Sequence, residues 1–305
     1  MTIHIQTPLI ESLSVGRELS AKVWLKMEAL QPCGSFKARG VGFACSKYAT
    51  EGATAFISSS GGNAGLAVAY SGRCLKIPVT VVVPLTTKQK AIDLMEQEGA
   101  TVIVHGELWL EAHQHAMSLA KQGAVYIHPF DDPYLWEGHA SLIDEVKAAG
   151  VKPDVIVLSV GGGGLLSGVV LGLARNDWQE IPILAVETQG ADSLSVAVAQ
   201  NKHIGLTAIS SIATSLGATK VAEHAFELVQ QQPICSKVVT DKQAVDACLN
   251  FLDQHRVLVE PACGASLAAV YQHSEILTNK QNVLVIVCGG VGATVEQLNL
   301  WSSTL

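Results

Sequence analysis

Short apolar runs alternate along the chain with longer segments whose apolar residues recur at helical spacing. Val79–Val83, Thr101–Val104, Val155–Ser159, Ile183–Val186 and Val283–Val287 are rich in β-branched residues and lack polar alternation, so they predict strands buried on both faces. Between them, Lys88–Glu98, Leu108–Gln122, Tyr134–Ala149, Leu165–Ala174 and Gln243–His255 predict helices. Thr240, with Gln243 three residues on, has the spacing of a capping box at the start of the last of these. Pro78, Pro84, Pro153 and Pro182 sit at strand edges, where a missing N–H costs little. The alternation predicts an α/β protein with parallel-rich sheets covered by helices. No repeat, low-complexity tract or charged linker marks a domain boundary.

Composition narrows the partners. The 305 residues suffice for two domains, and with 49% hydrophobic against 15% charged residues the chain is not disordered. A net charge of −7, with no basic run, argues against nucleic acid, whose phosphates need a basic face. No 18-residue apolar run predicts a membrane span. The 7 cysteines are odd in number and none forms a Cys-x-x-Cys pair, so neither a disulfide framework nor a zinc knuckle is expected. A reducing, cytoplasmic location follows from that cysteine usage, and the N-terminus lacks the features of a signal peptide.

Three segments carry candidate chemistry. Ser35-Phe36-Lys37-Ala38-Arg39-Gly40 sets one lysine among a hydroxyl, a ring and a fixed cation, an environment suited to condensation with a carbonyl. Gly161 to Gly164 follow a predicted strand and precede a predicted helix, so their amides can converge on an anion. The spacing is neither Gly-x-Gly-x-x-Gly nor a P-loop, which leaves dinucleotides and nucleoside triphosphates poorly matched. Ser58 to Gly65 lie between the short run Ala55–Ile57 and a helix over Leu66–Tyr70, forming a second anion site the size of a carboxylate. Glu111-Ala112-His113-Gln114-His115 lacks the i, i+4 pairing of a helical zinc site.

These motifs resemble those of fold-type II pyridoxal-phosphate (PLP) enzymes, and most closely the L-serine dehydratase/L-threonine deaminase family and its short serine dehydratases. The stretches Pro129 to Pro133, Trp136 to Ala140, Glu260 to Ala265 and Cys288-Gly289-Gly290 extend the likeness from about Thr7 to Cys288. The resemblance implies a two-domain enzyme, with 1–40 plus 138–305 as a large PLP-binding domain and 41–137 as a small one. It implies β-elimination of L-serine to pyruvate and ammonia (L-serine ammonia-lyase), with L-threonine giving 2-oxobutanoate. A serine racemase or β-replacement synthase on the same fold is the alternative within enzymes. A catalytically silent PLP-binding regulatory protein is the alternative outside them.

The resemblance also implies roles. Lys37 would carry the cofactor and act as base, Phe36 would lie against its ring, and Asn63 would bond the ring oxygen. Gly161, Gly162, Gly163 and Gly164 would bind the phosphate, and Cys288 would face the pyridine nitrogen. Ser60 joins Lys37 as a catalytic residue and, with Gly61, Asn63 and Ser215, would bind the amino-acid substrate. Glu187 and the carbonyls of Gly161, Ala191, Leu216 and Ala218 would hold a monovalent cation, K+ or Na+. Ser215 stands where animal enzymes carry alanine or glycine, and its hydroxyl would favour L-serine over L-threonine. A homodimer is expected. The short tail after Gly290 leads us to expect no C-terminal regulatory domain of the kind that biosynthetic threonine deaminases carry.

Overall fold

The parallel strands anticipated from the apolar runs form two separate sheets. A computed structural model describes residues 2–121 and 123–305. In chain order its strands are β1 (Leu9–Glu11), β2 (Lys22–Lys26), β3 (Ala55–Ser58), β4 (Val79–Val83), β5 (Thr101–Val104), β6 (Ala124–Tyr126), β7 (Val155–Ser159), β8 (Ile183–Thr188), β9 (Ile234–Val239) and β10 (Asn282–Ile286). The helices are α1 (Leu13–Leu19), α2 (Lys37–Thr50), α3 (Asn63–Leu75), α4 (Gln89–Gln97), α5 (Trp109–Leu119), α6 (Pro133–Ala148), α7 (Gly164–Arg175), α8 (Ser193–Ala199), α9 (Glu223–Gln231), α10 (Asp241–His255), α11 (Pro261–Tyr271) and α12 (Val295–Thr304). The helix expected over Leu108–Gln122 is α5; Gln122 itself lies outside the described residues.

Two compact units result. One comprises the chain start to Ile5 together with Gln31–His139, and the other Gln6–Leu30 with Ala140–Leu305. The first is built on a four-stranded parallel sheet in the order β5-β4-β3-β6. On one face Ile57 and Val82 pack with Ala112 and Ala116 of α5, and elsewhere in the unit α2 packs on α3. That packing places Gln31–Gly40, and so Lys37, in the first unit, whereas the resemblance assigned 1–40 to the larger domain.

The second unit has a six-stranded sheet in the order β1-β2-β10-β7-β8-β9, parallel except for the short edge strand β1. Every residue of β7 and β8 is buried, as are four of the five in β10, which accounts for their unbroken apolar sequences. Helix α11 is buried over Pro261–Val270 and packs on α10, so it has no polar face and no helical period. Its sequence therefore gave no signal. Thr240 does cap α10: its side chain accepts from the Gln243 amide, and Gln243 returns a bond to the Thr240 amide.

Candidate active site

In the first unit, Ser35 and Phe36 lead by tight turns into α2, whose first residue is Lys37. The Lys37 Nζ donates to the Pro129 carbonyl oxygen and lies 5.1 Å from the centre of the Phe36 ring. Lys37 and Phe36 are half-buried, while Arg39 is fully buried two residues on. The turn that presents Pro129 is organised by His128, whose Nδ1 accepts from the amides of Phe130 and Asp131. Burial pulls His128 below the usual imidazole range, which suits that accepting role. Nothing in the local sequence around His128 announces it.

Beneath Phe36 lies His139, fully buried, with ring centres 4.9 Å apart. Both of its ring nitrogens lack a hydrogen-bond partner, and burial, with Lys37 and Arg39 nearby, holds its pKa well below 6.5. Glycines let α2 and α6 approach this closely. A Cβ on Gly40 would stand 2.4 Å from His139 Nε2, and one on Gly138 would stand 2.5 Å from the Arg39 carbonyl oxygen.

The second anion motif follows β3 in the same unit. Ser60 and Gly61 are half-buried, and Gly62 is the cap, so Asn63 is the first residue of α3 and not its cap. Gly65 allows the loop to fold onto the helix, since a Cβ there would collide with the Ser60 carbonyl oxygen. The first turn of α3 has amides without intrahelical partners, which is the basis of an anion site. The structure thus groups Phe36, Lys37, Ser60, Gly61 and Asn63 in one unit, at the starts of two helices that pack together.

In the second unit, Gly161 to Gly164 connect β7 to α7, with Gly163 at φ +93° as the cap. A side chain at Gly163 would be strained by that φ and would stand 2.4 Å from the Ala225 Cβ. A Cβ on Gly161 would lie 3.0 Å from Leu216 Cα and 3.1 Å from the Ser215 carbonyl oxygen, so the structure brings Ser215 and Leu216 against the glycine turn. The segment carrying them is anchored by Asp241, which accepts from the Ser211 hydroxyl and the Ile212 amide. Asp241 belongs to none of the motifs, and its local sequence marks only the start of α10.

Cys288 follows the central strand β10 and is buried. Contact with the Cys263 thiol, together with burial, raises its pKa well above the thiol range, so it is a neutral thiol. Gly289 and Gly290 both have positive φ, and a Cβ on Gly290 would overlap the Glu260 carboxylate. Glu260, buried at the cap of α11, accepts from the Gly292 amide at 2.7 Å and so fixes the loop after Cys288.

Glu187, the last residue but one of β8, turns its carboxylate to the start of α8, accepting from the amides of Leu194 (2.9 Å) and Ser195 (2.7 Å). Burial pushes it up to about 8, against the pull of those two bonds. Ala191 bridges back to Thr188, and the Ala218 amide donates to the Leu216 carbonyl. Among the described residues no three His, Cys, Asp or Glu side chains are gathered as a metal site.

These residues fit PLP. The Ser35 hydroxyl is buried with no partner two residues before Lys37, and Gly161 and Gly163 keep a concave turn that a Cβ would fill. The first unit thus offers a lysine at a helix start, and the second an amide-rich glycine turn and a neutral thiol at a strand end. A family model described as "Pyridoxal-phosphate dependent enzyme" matches residues 1–289, and the chain belongs to that family. It is 46% identical to the L-serine dehydratase/L-threonine deaminase of Homo sapiens, over 97% of this chain and 94% of that protein. It is 45% identical to the L-serine dehydratase of Dictyostelium discoideum, over 99% of this chain and 93% of that protein. Among solved structures, a fungal L-serine ammonia-lyase from Rhizomucor miehei superposes with a TM-score of 0.94 at 33% identity, covering 99% of both chains. Maize serine racemase superposes at 0.89 with 27% identity, covering 99% of this chain and 92% of that one.

Proposed function

We propose that this protein is a PLP-dependent L-serine ammonia-lyase. It removes the α-proton and β-hydroxyl of L-serine to release aminoacrylate, which water converts to pyruvate and ammonia; L-threonine would give 2-oxobutanoate. The observation that carries this reading is Lys37 at the first position of α2, beside a buried unpartnered hydroxyl, in a chain resembling L-serine dehydratases along nearly its whole length.

Bound PLP supplies a carbonyl for the lysine amine and an electron sink for the Cα–H bond. Lys37 holds that group and takes the α-proton as general base. Phe36 would lie against the ring and Asn63 would bond its oxygen. Ser60, Gly61 and Asn63 hold the substrate carboxylate, and Ser215 lines the substrate side. Gly161, Gly162, Gly163 and Gly164 bind the phosphate through their amides. Cys288, a neutral thiol, would sit toward the ring nitrogen, where it could not pair with a positive charge as a carboxylate would.

A monovalent cation, K+ or Na+, completes the reading, held by the carbonyls of Gly161, Ala191, Leu216 and Ala218 near Glu187. The approach of the Gly161 turn to Leu216 supports it. Replacing K+ and Na+ by tetramethylammonium should lower turnover, and unchanged turnover would remove the cation. The seven cysteines are free, which fits a cytoplasmic setting, and no described helix is long and apolar enough to cross a membrane. A homodimer is expected, to be checked by light scattering.

The test of the whole reading is purified protein with L-serine and L-threonine, followed by 2-oxo acid release and by chiral analysis of residual serine. Pyruvate should form, a visible absorption band should be present, and borohydride should fix the cofactor to the peptide holding Lys37. Lys37→Ala should lower turnover by about 10²–10⁴-fold. D-serine as the main product would instead make the protein a racemase.

A further inference from the structure

The loop read as the carboxylate site is held from behind by a polar chain that the reaction does not itself require. Ser59 is fully buried, and its hydroxyl lies 2.7 Å from the Tyr126 hydroxyl. Tyr126 in turn lies 3.0 Å from Nδ1 of His113, which is also 3.4 Å from Ser59 Oγ. Three different elements meet here. Ser59 follows β3, Tyr126 ends the neighbouring strand β6, and His113 sits on α5. The His113 ring is in turn fixed by Trp109, one helical turn earlier, stacked on it at 4.8 Å with planes 14° apart.

We propose that Tyr126 and His113 form a positioning chain that fixes Ser59, and through it the loop Ser59–Asn63, in the geometry that receives the carboxylate of the amino-acid substrate. The chain has one direction when the imidazole is neutral with its proton on Nε2. Ser59 donates to the Tyr126 oxygen, and Tyr126 donates to His113 Nδ1. Burial lowers the His113 pKa, which keeps the ring in that neutral form, and Ser59 donation lowers the Tyr126 pKa against a larger upward effect of burial. With its donor spent on Tyr126, the Ser59 side chain is locked, and Ser60 and Gly61 follow it directly in sequence. Gly61 closes the other side, since a Cβ there would stand 2.8 Å from the Thr87 hydroxyl. A loop braced at both ends presents its amides without reorganising on binding.

The inference rests on the function proposed above, and two measurements separate the two. In the holoenzyme, Tyr126→Phe should raise KM for L-serine about fivefold, the worth of one hydrogen bond, with kcat within about twofold and the cofactor band unchanged. His113→Phe, which keeps a ring against Trp109, should do the same. The double variant should be no worse than Tyr126→Phe, because both act through one chain. His113→Asn, which offers an acceptor near the Nδ1 position, should restore most of the affinity. Unchanged KM in Tyr126→Phe, equal losses in kcat and KM, or multiplying effects in the double variant would overturn the proposal. Hydrogen exchange of the peptide over residues 58–63 needs neither cofactor nor turnover. It should quicken in both Phe variants and not in His113→Asn, with β7 amides unchanged as reference. Equal quickening in β7 would make the two residues general supports of the fold and sink the idea, whereas a wild-type protein that ignores L-serine would sink only the proposed function.

Discussion

Gly163 shows how one position can serve the backbone and a ligand together. Its φ of +93° and the nearby Ala225 Cβ leave no room for a side chain. Gly163→Val would store roughly 1–3 kcal/mol of local strain and turn amides away from the anion they are read to bind. A PLP titration should show affinity weakened by about tenfold or more, with far-UV circular dichroism retained; unchanged affinity would move the phosphate elsewhere. His139 is the other residue whose setting has a measurable consequence. Folded, its imidazole stays neutral well below 6.5, whereas unfolded it takes a proton near that value. Protons therefore favour the unfolded chain, so the contribution is intact above pH 6.5 and is lost as pH falls below it. Denaturant midpoints measured from pH 7.5 to 5 should fall, and His139→Gln should flatten the lower part of that curve. An identical slope in the variant would assign the acid sensitivity to other groups.

At the scale of elements, termini matter more than helix interiors. Helices α10 and α12 both begin with a Thr-x-x-Gln capping box, Thr240 with Gln243 and Thr294 with Gln297. Thr240→Ala removes the acceptor for the Gln243 amide and should cost about 1 kcal/mol, seen as a Tm lower by about 1–2 °C with unchanged KM. A loss in KM instead would tie this cap to the segment at Ser211, which Asp241, the first residue of α10, anchors. The strands were legible because parallel strands buried on both faces are written in nearly unbroken apolar residues: Val79–Val83 and Val155–Ser159 lie where their sequences put them. Thr101–Val104 is also a strand, but it forms the sheet edge and none of its residues is buried, because an edge strand is covered on fewer sides than its apolar sequence suggests. Strand β2 was not legible, because Lys26 is a buried charge in it, paired with Glu145 and bonded to the Thr7 carbonyl. A pattern reading treats such a lysine as solvent-facing.

For the molecule as a whole, the cofactor should be part of its stability. A ligand that binds only the folded state at 100 times its Kd adds about 2.7 kcal/mol. Removing PLP with cysteine or hydroxylamine should therefore lower Tm by several degrees and adding it back should restore it; an unchanged Tm would mean that the cofactor is not held by the native state. Length, charge and cysteine usage bounded the class of protein, and they left the division of the chain open. The smaller unit takes in Gln31–Gly40, where α2 packs on α3, a contact between consecutive helices that composition does not mark.

What the sequence by itself determined is chemistry that is local: a lysine in Ser35–Gly40, glycines where backbone must meet an anion, and β-branched runs that must be buried. Each follows from the properties of neighbouring residues. What only the tertiary structure decided is which distant groups meet. His139 beneath Phe36, Glu260 under Gly290, Asp241 holding the Ser211 segment, and Ser59 joined to Tyr126 and His113 bring together residues far apart in the chain. A histidine or an acid has the same local sequence whether solvated or buried against a partner, and only the packing of strands and helices selects between the two.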